Sequence, residues 1–380
     1  MQNDSNSDFN YRLTASLLRL CLIIALAYLL QSVLIPLLFA ILVAISLYPV
    51  SRFLERKKLS RAVASLLAVT LAVLILGGLI YFIVHQVIVI GSNGSDFQER
   101  INSIVETIQQ WVTRELGVGE GEISKRVQEF SNKALSNAGT YVSAAFNSVG
   151  SIIAGLVIVP LFCFFLLYYR DFFREFFFHL FASSPKQQIQ NVLNKIYGVV
   201  QNYLLGLITV MGIVAILNTI GLLILGVEYA WFFGTLASLL MLLPYIGIAI
   251  GSILPAVFSL ATQDNMWYAV GVVAWFQVVQ FLEGNVITPN IVGSKVSINP
   301  LMAVISLLLG GMLFGLAGLI LALPITAVLK VIFDSIPSLK PFGFLIGEPE
   351  SYHLKRNSRK IIVKRWNLKD LSKMKRPDLK

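Results

Sequence analysis

The 29 residues 301–329 carry no charged side chain. A helix rises about 1.5 Å per residue and the hydrocarbon layer of a bilayer is roughly 30 Å thick, so about 20 apolar residues cross it. This run exceeds that length, and the chain holds several more. Charged residues make up only 13% of the 380 and hydrophobic residues 56%, whereas a soluble domain is about 25% charged. A chain this long could build a two-domain soluble core, but its run lengths argue against one. They predict an all-α, polytopic membrane protein of about eight transmembrane helices with an extramembrane helical insert.

The apolar block 13–54 is too long for one crossing. Gln31, Ser32 and Pro36 divide it into spans near 13–31 and 36–54, and a third span covers 62–89. Residues 92–148 break the pattern with seven acidic and five basic side chains. Ile101, Ile104, Val105, Ile108, Trp111 and Val112 recur there at helical spacing. Further spans are expected near 149–170, 198–226, 231–261, 266–284 and 301–332, with an aromatic interfacial helix near 171–195 and a polar loop over 285–300. The organisation is therefore 1–90 (first three spans), 91–148 (extracytoplasmic insert), 149–340 (remaining spans) and 341–380 (basic tail).

Charge sets the expected orientation. The 51–61 connection holds five Lys/Arg and the 170–195 connection four, while 226–230 and 285–299 share only Lys295. Cytoplasmic loops are enriched in Lys and Arg, so both termini are expected in the cytoplasm. Residues 351–380 hold 11 Lys/Arg against two Asp, nearly all of the net charge of +10. A basic segment beyond a last span suits anionic lipid. Its one aromatic after Tyr352 is Trp366 and it carries no RNA-binding motif, which argues against nucleic acid.

The chain shows no catalytic signature, neither a phosphate-binding loop nor a nucleophile elbow. His85, His179 and His353 lack zinc spacing, and Cys21 and Cys163 sit in apolar runs. No enzyme activity, cofactor or metal is expected. Polar chemistry concentrates in the last third. Gln277, Gln280 and Glu283 fall on one face of an apolar helix, with Asn285 just beyond. An acid in a span faces a cavity or partner, or it snorkels from the helix end to the headgroups. The first reading makes Glu283 a coupling group for a proton or cation, or part of a hydrogen-bonding wall for a polar solute.

Beside this face, Pro244, Gly247, Gly251 and Pro255 interrupt the 231–261 span, leaving it kinked or split into half-helices. Gly310, Gly311, Gly315, Gly318 and Pro324 interrupt the last one. Paired Gly/Pro-interrupted segments mark the substrate path of many transporters; small residues also serve close helix packing, gating or self-association.

Pro244-Tyr-Ile-Gly247, Gln280-x-x-Glu283, Pro289-x-x-x-Gly293, Pro300, Gly310-Gly311, Gly315, Gly318 and Ala322-Leu-Pro324 occur in an order that resembles the autoinducer-2 exporter family of PerM-like permeases. Pro36-x-x-x-Ala40 through Tyr48-Pro49 and the helical insert resemble it too, so the likeness covers 12–340. It implies a transporter, with export of a quorum-sensing signal in some members and sodium/proton antiport in others. It also implies a cell (inner) membrane of bacterial type. The polar face, the interrupted span and the likeness together give as candidate path residues Pro244, Gly247, Gly251, Gln277, Gln280, Glu283, Asn285, Pro289 and Gly293. The expected partner is thus a small molecule or ion within the lipid bilayer. Three functions follow: export of a small polar solute, sodium or lithium/proton antiport through Glu283, or a membrane scaffold acting through the insert or tail.

Overall fold

The computed structural model describes residues 2–92, 149–243, 246–263, 265–293 and 298–349, and every regular element among them is helical. The greater part of the expected insert, the basic tail beyond 349 and Pro244 lie outside the described residues. The first helices are α1 (Gln2–Leu29), α2 (Gln31–Arg56) and α3 (Arg61–Ser92). Only Leu30 separates α1 from α2, and Pro36, expected between two spans, lies inside α2. Neighbouring helices and local adjustment make such a proline tolerable in a membrane helix.

Next come α4 (Val149–Tyr168), α5 (Arg170–Leu180) and α6 (Lys186–Ile224). The interfacial segment is shorter than the expected 171–195. It ends at Leu180, and residues from 186 onward belong to α6, which Pro185 starts with its φ of −58°. At 39 residues α6 is the longest helix among the described residues, and it packs against both α7 and α10, described below.

Two of the eight apolar segments fold back on themselves. The sixth is α7 (Ala230–Leu240) followed by α8 (Ile246–Thr262). A Cβ built on Gly247 would stand 1.7 Å from the Leu240 carbonyl oxygen, and one on Gly251 3.1 Å from Ala237 Cα. Those pairings run in opposite directions, so α7 and α8 are antiparallel arms. Phe258 meets Phe233 and Tyr229 nearer the open end, with ring centroids 5.1 and 5.7 Å apart. Gln263 closes that end by donating to the carbonyls of Leu225 (3.2 Å) and Gly226 (3.1 Å).

The last segment repeats the device. Among the described residues five helices, including α10 (Pro300–Ser335), are long and apolar enough to cross a membrane by length and composition. Straight, α10 would measure about 54 Å, far more than a bilayer core. It is instead interrupted at Phe314 and Gly315, where φ at Gly315 is +59°. Arms 300–313 and 316–335 then lie side by side. A Cβ on Gly318 would fall 1.8 Å from the Gly310 oxygen, and Thr326 donates to Ser306 at 2.8 Å. Asn299 closes the open end. It caps the first arm by accepting from Met302 N, and its amide donates to the carbonyls of Leu345, Ile346 and Gly347 around the end of α11 (Lys340–Ile346).

Between the hairpins runs α9 (Met266–Leu282), capped by the Asn265 side chain. It does not give way to a loop at 285. The chain continues through two widened π-type turns, Glu283–Ile287 and Pro289–Gly293. The principal core joins α6 to α9 through Leu222, Phe233, Phe258, Val272 and Phe276. Leu22, Leu74, Ile224, Trp267 and Met312 point outward, each more than three-fifths exposed. Such surfaces suit lipid.

Candidate functional site

Four helices leave a small polar chamber between the first hairpin and α9. Its volume is about 30 Å³, enough for a water or two. Gly247 and Gly251 line it from α8 together with Ser252, Met241 follows α7, and Gln277, Gln280 and Glu283 come from α9. Five of the sequence-predicted path residues therefore meet at one place. Gln277 is exposed at the rim, whereas Gln280 and Glu283 are half-buried.

Glu283 is held within the protein. Gln280 Nε2 donates to one carboxylate oxygen at 2.8 Å, and Thr288 Oγ1 donates to the other. The second contact depends on the π-type turn. In an α-helix residues five apart lie about 140° from each other around the axis, whereas a π turn brings i and i+5 together. The glutamate thus spends both oxygens on neighbours instead of reaching outward.

The structure adds Asn218 from α6, on the chamber wall opposite α9. It is 3% exposed, and its Oδ1 has no hydrogen-bond partner among the described residues. A buried acceptor left unpaired costs about 1–3 kcal/mol, so this oxygen is set to receive a donor from whatever enters. Trp275 fixes α9 against this stretch of α6. Its indole lies across the bare face of Gly221, and Nε1 donates to Leu217 O at 3.1 Å. Asn218 and Thr219 are adjacent polar residues inside an apolar run, a signal that sequence reasoning passed over. Thr288 needed the π turn to be noticed.

The other predicted residues lie elsewhere. Asn285 is exposed and donates to Phe281 O at 2.9 Å within its own helix, away from the chamber, because two positions beyond Glu283 it falls on the opposite side of the helix. Pro289 and Gly293 bound the second π-type turn, where Ile291 and Val292 pack on Gly206 of α6. Gly310, Gly311, Gly315, Gly318 and the buried Pro324 belong to the second hairpin, where Gly310 and Gly318 face each other across the arms and Gly315 makes the turn.

A second polar cluster lies at the α2–α3 turn. Arg170 pairs with Glu55, and Arg61 pairs with Asp171 at 2.6 Å. Burial pushes the Asp171 carboxyl upward, but the Arg61 hydrogen bond and charge outweigh it and hold the group below its ordinary 3.8. The pairs clamp the α4–α5 junction to the α2–α3 turn.

An all-helical, multi-pass membrane protein with two fold-back hairpins, the first of them lining a small chamber that gathers polar side chains, has the architecture of a transporter. Residues 17–338 match the profile described as AI-2E family transporter, and the chain belongs to that family. Relatives agree over most of their length. YrrI of Bacillus subtilis is 25% identical across 79% of this chain and 86% of its own. A Haemophilus influenzae protein is 24% identical across 93% and 100%. MJ1177 of Methanocaldococcus jannaschii is 25% identical across 69% and 78%. Each carries the provisional name of a transport protein, and none of the names states a substrate. The chain is thus a membrane transporter acting on a small molecule or ion.

Proposed function

We propose that this transporter exports a small polar solute along the chamber between the first hairpin and α9. The observation that carries this reading is the convergence of Asn218 from α6 with Gln280 and Glu283 at the end of α9 on one water-sized space. Passage of a solute requires the hairpin arms and α9 to part, and only two glycines, Gly247 and Gly251, separate the α7 backbone from α8 there. An autoinducer-2-type signal is the first solute to test, given the family. Everted vesicles containing the protein should accumulate one member of a polar solute panel, and Asn218→Leu should abolish the accumulation. Equal accumulation with and without the protein across the panel would refute export.

Sodium or lithium/proton antiport is the second reading. The chamber volume favours it, because about 30 Å³ fits a dehydrated ion better than an organic solute. Sodium or lithium should then collapse a preset pH gradient in vesicles, and Glu283→Gln should prevent this. A silent Glu283→Gln would remove the glutamate from coupling.

The topology we infer has six crossings (α1, α2, α3, α4, α6 and α9) and two re-entrant hairpins. Each hairpin returns to its starting side, as the closures by Gln263 and Asn299 suggest. The even parity keeps both termini in the cytoplasm. It also brings the connection bearing Lys295 to the basic side and leaves that bearing Asp264 outside, which accords better with the distribution of positive charge. A cysteine accessibility scan over 226–230 and 294–299 tests it. Labelling of both from the same face would refute it.

A further inference from the structure

We propose that the groove between α2, α3 and α4 binds an anionic phospholipid. An acyl chain would lie along the groove, and the phosphate would sit among the cations at the α2–α3 turn. The groove has a volume of about 370 Å³, and its lining is entirely apolar. It runs from Leu47, Val69 and Cys163 toward Ile80 and Gly155. The eleven steps from Val69 to Ile80 along α3 span about 16 Å. Protein interiors seldom leave such a space unfilled, because every lining atom forfeits dispersion contacts. At Gly155 a side chain would meet nothing within 4 Å. The shape is long, narrow and dry, as an acyl chain requires.

Charge identifies the headgroup. Beyond the Leu47 end stand Arg52, Arg56, Lys57, Lys58 and Arg61, joined by Arg170 and Arg174 of α5. Glu55 and Asp171 are already engaged by Arg170, Arg61 and Arg174. Among the described residues no ion pair holds Arg52, Arg56, Lys57 or Lys58. Arg52 and Arg170 gather on a single ring, with guanidinium carbons 5.9 and 5.2 Å from the Tyr48 centroid. Arg170 also keeps one buried nitrogen, Nη1, without a partner among the described residues. An unpaired guanidinium N–H beside uncompensated cations calls for an anionic oxygen, and arginine forks suit phosphate best. Tyr48 packs with Leu47 against the buried cluster of Val69 and Cys163 at this end of the groove, so the cations gathered on its ring stand next to the groove mouth. A zwitterionic headgroup would answer this excess charge poorly, as would an apolar helix from a second copy.

The test uses the full chain purified in detergent, delipidated and then supplied with phosphatidylglycerol, phosphatidylcholine or inorganic phosphate. Phosphatidylglycerol should raise the melting temperature more than phosphatidylcholine, inorganic phosphate should not reproduce this, and native mass spectrometry should retain the anionic lipid. Arg52→Gln with Arg56→Gln should weaken phosphatidylglycerol binding about tenfold, the scale of one charge-assisted contact, and leave phosphatidylcholine binding unchanged. Gly155→Leu should fill the groove, leave the protein folded, and reduce retention of either lipid. Equal effects of the two lipids would overturn the proposal, as would full reproduction by inorganic phosphate or undiminished retention in Gly155→Leu. Cross-linking between copies through Val73→Cys in lipid-free protein would give the groove to a second copy and would equally overturn it.

Discussion

Replacing Gly318 by alanine tests the fold-back of the last apolar segment. A Cβ at 318 would lie 1.8 Å from the Gly310 oxygen and 2.5 Å from its carbonyl carbon. Both are backbone atoms, so no rotamer change relieves the clash. Ordinary contact at about 3.4 Å requires the arms to separate by roughly 1.6 Å. Overpacking of this kind costs about 1–3 kcal/mol. Separation also breaks the Thr326–Ser306 hydrogen bond of 2.8 Å, worth about 0.6 kcal/mol on average inside membranes. Against this, alanine gains up to about 1 kcal/mol over glycine in a helix interior. The net expectation is a loss of about 1–3 kcal/mol, read as a fall of a few degrees in the melting temperature of purified protein. Gly212→Ala, with nothing within 4 Å of its Cβ, is the control and should be neutral or stabilising. A straight α10 predicts the opposite for Gly318, because alanine there would simply improve the helix. A melting temperature at or above wild type would refute the hairpin. A covalent check is independent of stability. Ser306→Cys with Thr326→Cys, in a background without Cys21 and Cys163, should form an intramolecular disulfide under mild oxidation. In a straight helix those positions stand about 30 Å apart, and no bridge would form.

Asn299→Ala removes an N-cap and three amide-to-carbonyl bonds together, and a cap alone is worth about 1 kcal/mol. Hydrogen exchange should rise in α11 and the first turn of α10, and unchanged protection would remove Asn299 as the closure. Thr288→Val deletes one of two donors to Glu283 and is expected to lower transport severalfold, since the carboxylate loses a contact that fixes it at the chamber. Transport equal to wild type would show the contact to be idle. The Arg61–Asp171 pair should stabilise the protein fully above the ordinary carboxyl value of 3.8, and less as pH falls through the lower value of the folded state. Both side chains are about two-fifths exposed, so the stability difference between wild type and Asp171→Asn should be small at neutral pH. It should vanish in acid, and persistence there would assign it to packing.

Low charge and long apolar runs told the sequence reader the solvent of this protein, because a bilayer tolerates little else over 20 residues. The same scarcity of charge drew attention to Gln277, Gln280 and Glu283, whose shared face follows from helical period alone. Helical period could not say what that face meets. The chamber needs Asn218, some 60 residues earlier, and Ser252 across a hairpin, contacts that only folding brings together. Gly247 and Gly318 look alike in a sequence whether they kink a helix, let a neighbour approach or permit an arm to return. The backbone carbonyls of Leu240 and Gly310, pressed against the places where their side chains would stand, decide for the return. Asn285 shows the converse: expected in a loop next to Glu283, it lies on a helical stretch that continues past the span and whose period turns it to the outer surface. Hydropathy fixed which segments leave water, since that depends on each segment's own composition. Which of them fold back on themselves was decided by the tertiary structure, because folding back rests on contacts between residues that local periodicity cannot relate.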